Sequence, residues 1–220
     1  MYKKTVLKNE LRLITIPLKE TQSVTVLVSV GAGSRYEAKE SNGISHFLEH
    51  MFFKGTKKRP TALEIASTID SIGGVFNANT GKESTGFYIK AAAKHLPLAI
   101  DLLSDIISNS LFDPKEIEKE KGVIIEELNM YEDVPMKKIG DIFDALLYSK
   151  TPLGWEIIGK KENIRKMQRQ NFLTYLKRFY QPKNMVVTIA GSQSAISHLR
   201  GVSGSTPRDY FTSKVKSADT

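Results

Sequence analysis

Two histidines and a glutamate fall within five consecutive residues, His46-Phe47-Leu48-Glu49-His50. If residues 44–53 form a helix, positions 46 and 50 lie one turn apart on one face, so both imidazoles can bind one zinc ion. Glu49 lies beside them and can reach a metal-bound water without itself being a ligand. The set predicts metal-assisted hydrolysis, in which zinc makes a nucleophile of water and Glu49 takes up the proton.

The motif is short enough that a helix can carry it by chance. Two observations favour a metal site over chance. The chain has only four histidines, and two of them stand at metal-ligand spacing. Apolar residues also flank the motif at positions 47, 48 and 51–53, so the helix is expected to be largely buried, where unpaired ionisable groups are costly. A bound metal removes that cost.

A catalytic zinc site takes three protein ligands and leaves the fourth position to water. The chain has no cysteine, and His95 and His198 have no ligand-like neighbours in the sequence, so a carboxylate is the remaining choice. Residues 113–130 are the richest source of carboxylates. Asp113 as N-cap and Pro114 at the first helical position predict that a long helix begins here.

Glu120 and Glu127 stand seven residues, or two turns, apart on this helix, so they share a face. Val123 and Leu128 fall on or beside that face, which is therefore expected to look toward the core. Glu126 is rotated by about 100° and is expected to face solvent. We therefore predict Glu127 as the third zinc ligand and Glu120 as a neighbouring carboxylate that orients a histidine or Glu127 itself.

Taken together, these motifs resemble the pitrilysin or insulinase family of zinc peptidases, and most closely its processing-peptidase branch. The order H-x-x-E-H is the inverse of the thermolysin-type H-E-x-x-H. Glu127, 77 residues after His50, and its partner Glu120 also fit the family pattern. The resemblance covers about residues 4–191, and further matching stretches lie at 31–37, 73–80, 82–85 and 184–191.

The resemblance implies a zinc-dependent metalloendopeptidase that has Zn²⁺ as cofactor and Glu49 and Glu120 as catalytic carboxylates. It further implies that the substrate is an extended peptide, a presequence or another unfolded polypeptide, which pairs with an exposed strand edge beside the zinc. Asn77 and Ala78 are the predicted substrate-binding residues on that strand. The alternative for this segment is an ordinary strand whose asparagine serves a turn.

Sequence patterns predict an α+β fold with a mainly antiparallel sheet and helices packed on one face. Two β-rich segments, 11–16 and 23–30, are expected to be antiparallel neighbours, and a hairpin is expected around Gly81-Lys82. Asn42 or Ser41 is the expected cap of the zinc helix. Strands are predicted over 11–16, 23–30, 75–80, 84–91 and 185–190, and helices over 44–53, 61–71, 95–109, 113–130, 137–148 and 163–180.

Composition agrees with a globular protein of 220 residues that has 40% hydrophobic and 25% charged residues. The formal net charge of +8 does not indicate nucleic-acid binding, because the lysines alternate with glutamates along helices. A basic loop at 57–60 is expected to be a solvated connection. With neither a signal peptide nor an apolar run of membrane-spanning length, the expected location is cytoplasmic.

We predict one peptidase domain over residues 1–191 and a polar, poorly ordered tail over 192–220, which is rich in Ser and Gly near its start. The resemblance implies that a full family member has two homologous halves, of which this chain would be the N-terminal one. The chain is therefore expected to be a truncated form, a half that needs a partner or homo-oligomer, or the product of a shifted reading frame.

Three functions compete at this point. The leading hypothesis is the zinc endopeptidase. The second is a catalytically incomplete half-protein or subunit that binds zinc and needs a partner chain carrying the second half. The third, a structural zinc protein, is disfavoured because structural sites use four protein ligands and the sequence offers three. Only the enzyme hypothesis predicts that activity depends on Glu49.

Overall fold

One open sheet of six strands organises the computed structural model, which describes residues 1–198. The strand order is β1-β2-β6-β3-β5-β4, so β1 and β4 form the two edges. Four of the pairings are antiparallel and one, β2 with β6, is parallel. The strands are β1 Lys3–Val6, β2 Arg12–Leu18, β3 Ser23–Val30, β4 Val75–Thr80, β5 Thr85–Ala92 and β6 Met185–Ser192.

The α+β class and the mainly antiparallel sheet are confirmed, but the expected pairing of β2 with β3 is wrong. Strand β6 lies between them, parallel to β2 and antiparallel to β3. The hairpin of β4 and β5 is confirmed, with Thr80 opposite Thr85. Local sequence could predict the hairpin because its strands are joined by a short turn, whereas β6 enters from the far end of the chain.

The central strand β3 shows why the helices collect on one face of the sheet. Every second residue, from Val24 to Val30, is buried, and the residues between them are only half-buried. In register with these valines stand buried residues of β5 and β6, among them Phe87 and Ile189. This two-residue period gives the sheet one apolar face, against which the helices pack.

Eight helices lie within residues 1–198. The first, α1, carries the histidine motif, and the fourth, α4, carries the two glutamates; Thr61 caps α2 through a capping box with Glu64. The helices are α1 Ile44–Met51, α2 Ala62–Asp70, α3 Leu96–Asn109, α4 Pro114–Glu132, α5 Pro135–Leu147, α6 Lys161–Lys166, α7 Arg169–Phe179 and α8 Gln193–His198.

Two predicted segments differ from the structure. The single helix expected over 163–180 is two helices, because Met167 adopts an extended backbone with its side chain buried, and Gln168 then caps α7. Residues 193–198, which were assigned to the tail, form α8, where Ile196 reaches the core. The rest of the predicted tail, 199–220, lies outside the described residues.

The basic loop at 57–60 also differs from the expected solvated connection. Arg59 is buried and donates to Asp105 and to Asp101 at 2.7 Å, and Lys58 pairs with Asp101 as well. These contacts fix the loop that follows the zinc helix to α3. A buried guanidinium requires such partners, since an unpaired buried charge is strongly destabilising.

Substitution of Phe52, directly after α1, tests how the core supports this helix. Its fully buried ring lies 5.0 Å from that of Phe87, 5.6 Å from Phe112 and 5.3 Å from Tyr180. Phe52→Ala should lower the free energy of unfolding by about 3–5 kcal/mol, because it leaves a cavity among three rings. Urea denaturation measures this, with the half-exposed Met130→Ala as control; equal losses in both variants would contradict the packing described here.

Candidate metal centre

Helix α1 is held at its start by a buried glutamate rather than by the expected Asn42 or Ser41. Glu37 accepts hydrogen bonds from the Gly43 N–H at 2.8 Å and the Ser45 N–H at 2.9 Å, and also from the Asn42 amide. A carboxylate here satisfies the free N–H groups of the first turn and interacts favourably with the helix dipole. The segment 41–45 is therefore anchored before the histidines begin.

Gly43 permits this entry into α1. Its φ of +101° is accessible to glycine at little cost, and a Cβ at this position would lie 2.6 Å from the Ile158 carbonyl oxygen. The loop that carries Ile158 therefore packs directly on the backbone at the start of the helix.

Helix α4 begins as predicted, with the Asp113 side chain accepting from the Lys115 N–H. Glu120 is almost fully buried, Glu127 is half-buried and Glu126 is exposed, which agrees with the predicted faces. Val123 departs from the expectation: it is half-exposed, because the helix turns it away from the neighbours that cover Ile124 and Leu128.

His46, His50 and Glu127 converge on one point between α1 and α4. One Oε atom of Glu127 lies 3.7 Å from His46 Nε2 and 3.4 Å from His50 Nε2. One ligand atom from each of the three residues lies within 4.8 Å of the others. Ligands at tetrahedral zinc stand about 3.3 Å apart, given bonds near 2.0–2.1 Å, so the three side chains fit a zinc ion with small adjustments.

The donor set also fits zinc chemically, with two imidazoles and one carboxylate, and a fourth position would remain for water. Two histidines and a carboxylate suit manganese or cobalt as well, so the ligands favour zinc without restricting the site to it. Among residues 1–198, this is the one group of three such side chains that could hold a metal ion.

The two histidines differ in charge. Burial, reinforced by the neighbouring His50, lowers the pKa of His46 to about 4, so its ring is neutral at pH 7. Burial also disfavours the charge on His50, but hydrogen bonds to Glu120 and Glu127 outweigh it and raise the pKa of His50 to about 9. In the metal-free site the proton on His50 therefore supplies the positive charge between the two carboxylates.

The pKa values of Glu127 and Glu49 are shifted in opposite directions. The hydrogen bond from His50 is the main cause that lowers the pKa of Glu127 to about 2, so Glu127 is ionised and ready to bind a cation. Burial raises the pKa of Glu49, while the hydroxyl of Thr80, which donates to Glu49 Oε2 at 2.5 Å, opposes the shift. A raised pKa suits a group that must accept and then release a proton.

Glu120 lies beside the ligands and holds one of them. Its Oε1 is 2.8 Å from His50 Nδ1, and its Oε2 pairs with Lys54 Nζ at 2.5 Å. A carboxylate on the far nitrogen fixes the tautomer and orientation of a metal-binding imidazole. His46 has no equivalent anchor among the described residues, since its Nδ1 is buried without a hydrogen-bond partner.

Sequence reasoning missed three residues of this centre. Lys54 holds Glu120, Thr80 holds Glu49, and the Tyr131 hydroxyl hydrogen-bonds Glu127. The contact of Tyr131 could have been predicted, because this residue stands one turn after Glu127 on the same helix. Thr80 carried none, since its contact depends on how the end of β4 meets α1.

The predicted substrate-binding residues, Asn77 and Ala78, lie on the edge strand β4. Ala78 is on the helix side of the sheet and Asn77 is on the other side, where its Oδ1 accepts from the Ala78 N–H at 2.9 Å. Ala78 and Phe76 border a cavity of about 340 Å³ that also touches Glu49 and His50. The free edge of β4 and the cavity therefore lie next to the histidine motif.

The family described as "Insulinase (Peptidase family M16)" matches residues 12–161. The chain belongs to this family. The match includes both helices of the centre and the edge strand, and it agrees with the resemblance drawn from the motifs.

Relatives of this M16 domain include zinc proteases and processing-peptidase subunits. An uncharacterized zinc protease of Bacillus subtilis, YmxG, is 40% identical over 194 residues, which is 88% of this chain and 47% of that protein. The human mitochondrial-processing peptidase subunit beta is 42% identical over 170 residues, which is 77% of this chain and 35% of the subunit. The chain thus spans about half or less of the length of these relatives.

Solved structures give the same fold. A protease from Helicobacter pylori aligns over 100% of this chain and 52% of its own length, with a TM-score of 0.88 and 25% identity. Pitrilysin aligns over 100% of this chain and 23% of its own length, with a TM-score of 0.84 and 23% identity. The M16 domain is one structural unit within these longer chains.

No helix among residues 1–198 is both long enough and apolar enough to cross a membrane.

Glu120→Gln should weaken zinc binding by about 10- to 100-fold, because His50 loses the carboxylate that orients its ring. Competition against a chelating dye measures the affinity. Glu126→Gln, on the exposed side of the same helix, is the matched control and should bind zinc as the unaltered chain does. Equal affinities for both variants would contradict the role given to Glu120.

Zinc uptake at pH 6 should release close to one proton. His50, with a pKa of about 9, carries a proton at this pH and must lose it to bind a metal, whereas His46 is already neutral and Glu127 already ionised. Zinc-bound water in catalytic sites has a pKa near 7 and keeps its protons here. Titration calorimetry in buffers of different ionisation enthalpy counts the protons, and a value near zero or two would contradict this charge assignment.

Proposed function

We propose that this chain is the metal-binding part of a zinc-dependent metalloendopeptidase, with His46, His50 and Glu127 as ligands and Glu49 as catalytic base. The observation that carries the proposal is the convergence of these three ligand atoms next to a buried carboxylate whose pKa is raised. The names of the relatives, zinc protease and processing peptidase, support it.

Each side chain has a distinct part in the proposed reaction. Zinc at this position would activate water and polarise the carbonyl of the scissile bond. Glu49 accepts the proton of the attacking water and afterwards passes it to the leaving amine. Thr80 holds the carboxylate of Glu49 in place, and Glu120 holds the ring of His50. Peptide hydrolysis then depends on Glu49 in a way that metal binding does not.

The substrate we propose is an extended peptide or an unfolded segment such as a presequence. Strand β4 has a free edge beside the centre, so a peptide can add to the sheet through main-chain hydrogen bonds, with Asn77 and Ala78 as contacts. To pair at Ala78, the peptide takes the place of the Asn77 side chain on that N–H. Such pairing makes little demand on the peptide sequence.

The cavity beside Glu49 can give the site a preference for particular peptide side chains, which main-chain pairing alone does not give. Apolar side chains, including Phe53, Phe76 and Ile65, form much of the wall of this space of about 340 Å³. A large apolar side chain next to the scissile bond can fill this cavity, and its burial would stabilise the bound peptide. We therefore propose that cleavage favours peptides with a large apolar residue at that position.

The half-length of the chain favours a second candidate. It spans 47% of the Bacillus relative, so residues that hold the substrate in reacting geometry could lie in the remainder. In that case the chain is a zinc-binding half that needs a partner carrying the second half. Stoichiometric zinc binding without hydrolysis is the result that selects this candidate.

Glu49→Gln should abolish hydrolysis of a quenched fluorescent peptide and leave zinc binding unchanged, because the amide cannot accept the proton. The peptide should be unstructured and carry a phenylalanine near its centre. A chelator should abolish activity as well, and Glu40→Gln, an exposed glutamate outside the centre, should not. Hydrolysis that persists in zinc-bound Glu49→Gln would refute the proposed mechanism.

A further inference from the structure

Thr80, the last residue of the edge strand β4, holds the side chain that serves as base in the proposed reaction. Its hydroxyl donates to Glu49 Oε2 at 2.5 Å. Within the described part of the chain, Glu49 makes no other side-chain hydrogen bond. The orientation of the Glu49 carboxylate therefore depends on where the end of β4 lies.

The main chain of Thr80 belongs to the free edge of the sheet. Where the hairpin closes, the Gly81 N–H donates to the Ser84 carbonyl at 2.8 Å. Hydrogen-bonded and non-hydrogen-bonded pairs alternate along an antiparallel ladder, so Thr80 and Ala78 form non-hydrogen-bonded pairs with β5. Their N–H and C=O groups point to the free edge, and the Ala78 N–H accordingly bonds the Asn77 side chain instead of β5.

The side chains of the same residues point to the helix side of the sheet. Phe76 and Ala78 border the cavity beside Glu49, and the Phe76 ring lies 5.2 Å from that of Phe53, two residues beyond α1. The base, the cavity and the free edge thus share one strand. A shift of β4 therefore changes all three together.

Strand β4 has little else to hold it. It pairs with β5 on one side only, and the chain enters it through Gly73-Gly74, where Gly73 has a φ of +61°. A peptide added at the free edge gives β4 a second partner and restricts its movement. Such restriction matters at Glu49, because a misplacement of about 1 Å at a reacting group can cost about 100-fold in rate.

We propose that Thr80 is a positioning residue that couples peptide pairing on β4 to the orientation of Glu49. Its main chain meets the peptide and its hydroxyl meets the base. Binding energy from peptide residues remote from the scissile bond is then used in the reaction, which raises kcat and not only the affinity. The inference rests on the proposed function and adds to it a preference for peptides long enough to pair along β4.

The test uses the zinc-loaded chain and two phosphinic peptides, which mimic the tetrahedral intermediate and bind without turnover. One is a phosphinic dipeptide, and the other carries further residues that can pair along β4. Calorimetry gives the ratio of their Kd values, which is the gain from length. Thr80→Val should lower this ratio about five-fold, the size of a coupling between contacting side chains, and Thr80→Ser should preserve it. Asn79→Ala, exposed on the other face of β4, is the matched control and should leave the ratio unchanged.

Removal of the other partner gives a second measurement. In Glu49→Ala the ratio should already be low, and adding Thr80→Val should lower it no further, because no carboxylate remains to be held. An unchanged ratio in Thr80→Val, or an equal loss in Asn79→Ala, would overturn the coupling and leave the peptidase proposal intact. A zinc-loaded chain that binds neither phosphinic peptide would overturn both. An unchanged zinc affinity in Thr80→Val shows that this variant is folded.

Discussion

The contact between α1 and α4 is the constraint on which the metal centre depends. The two helices are about 70 residues apart in the chain, and each carries only part of the ligand set. The ion pair of Lys54 with the buried Glu120 and the hydrogen bond of Glu120 with His50 join them at the level of the predicted ligands. The geometry of the centre is thus a property of tertiary packing, and the apolar residues around the motif are as necessary to it as the histidines.

The same contact creates an electrostatic problem. It gathers Glu49, Glu120 and Glu127 around two imidazoles in a partly buried space, where like charges repel strongly. In the absence of metal, Lys54 and a protonated His50 balance the carboxylates, and hydrogen bonds to Glu120 and Glu127 raise the pKa of His50. Burial, with the neighbouring His50, lowers the pKa of His46. In the proposed metal-bound state a divalent cation would take over the role of the His50 proton.

Local sequence predicted much of this centre because helical spacing alone brings His46 near His50 and puts Glu120 on the face of Glu127. The pairing of the two helices was predicted by elimination, because the chain has no cysteine and residues 113–130 are its richest source of carboxylates. Contacts that depend on a third element escaped prediction: Thr80 from β4, and Glu37 from the loop before α1. The predicted pairing of β2 with β3 was wrong for the same reason, since β6 lies between these two strands in the sheet although they follow each other in the chain. A helix was likewise predicted over 137–148, but helical spacing alone does not tell that Lys138 and Asp144 face the domain.

The placement of β6 has a consequence for how this protein acquires its structure. Strands β2 and β3 are joined only through residues 185–192, more than 150 positions further along the chain. During synthesis β2 can pair with β1, and β3 with β5, but the edges of β2 and β3 that face β6 stay without a partner until residues 185–192 have left the ribosome. Pairings so distant in sequence slow folding and expose strand edges to aggregation. The consequence of this topology is a folding intermediate with two exposed strand edges at the centre of the sheet.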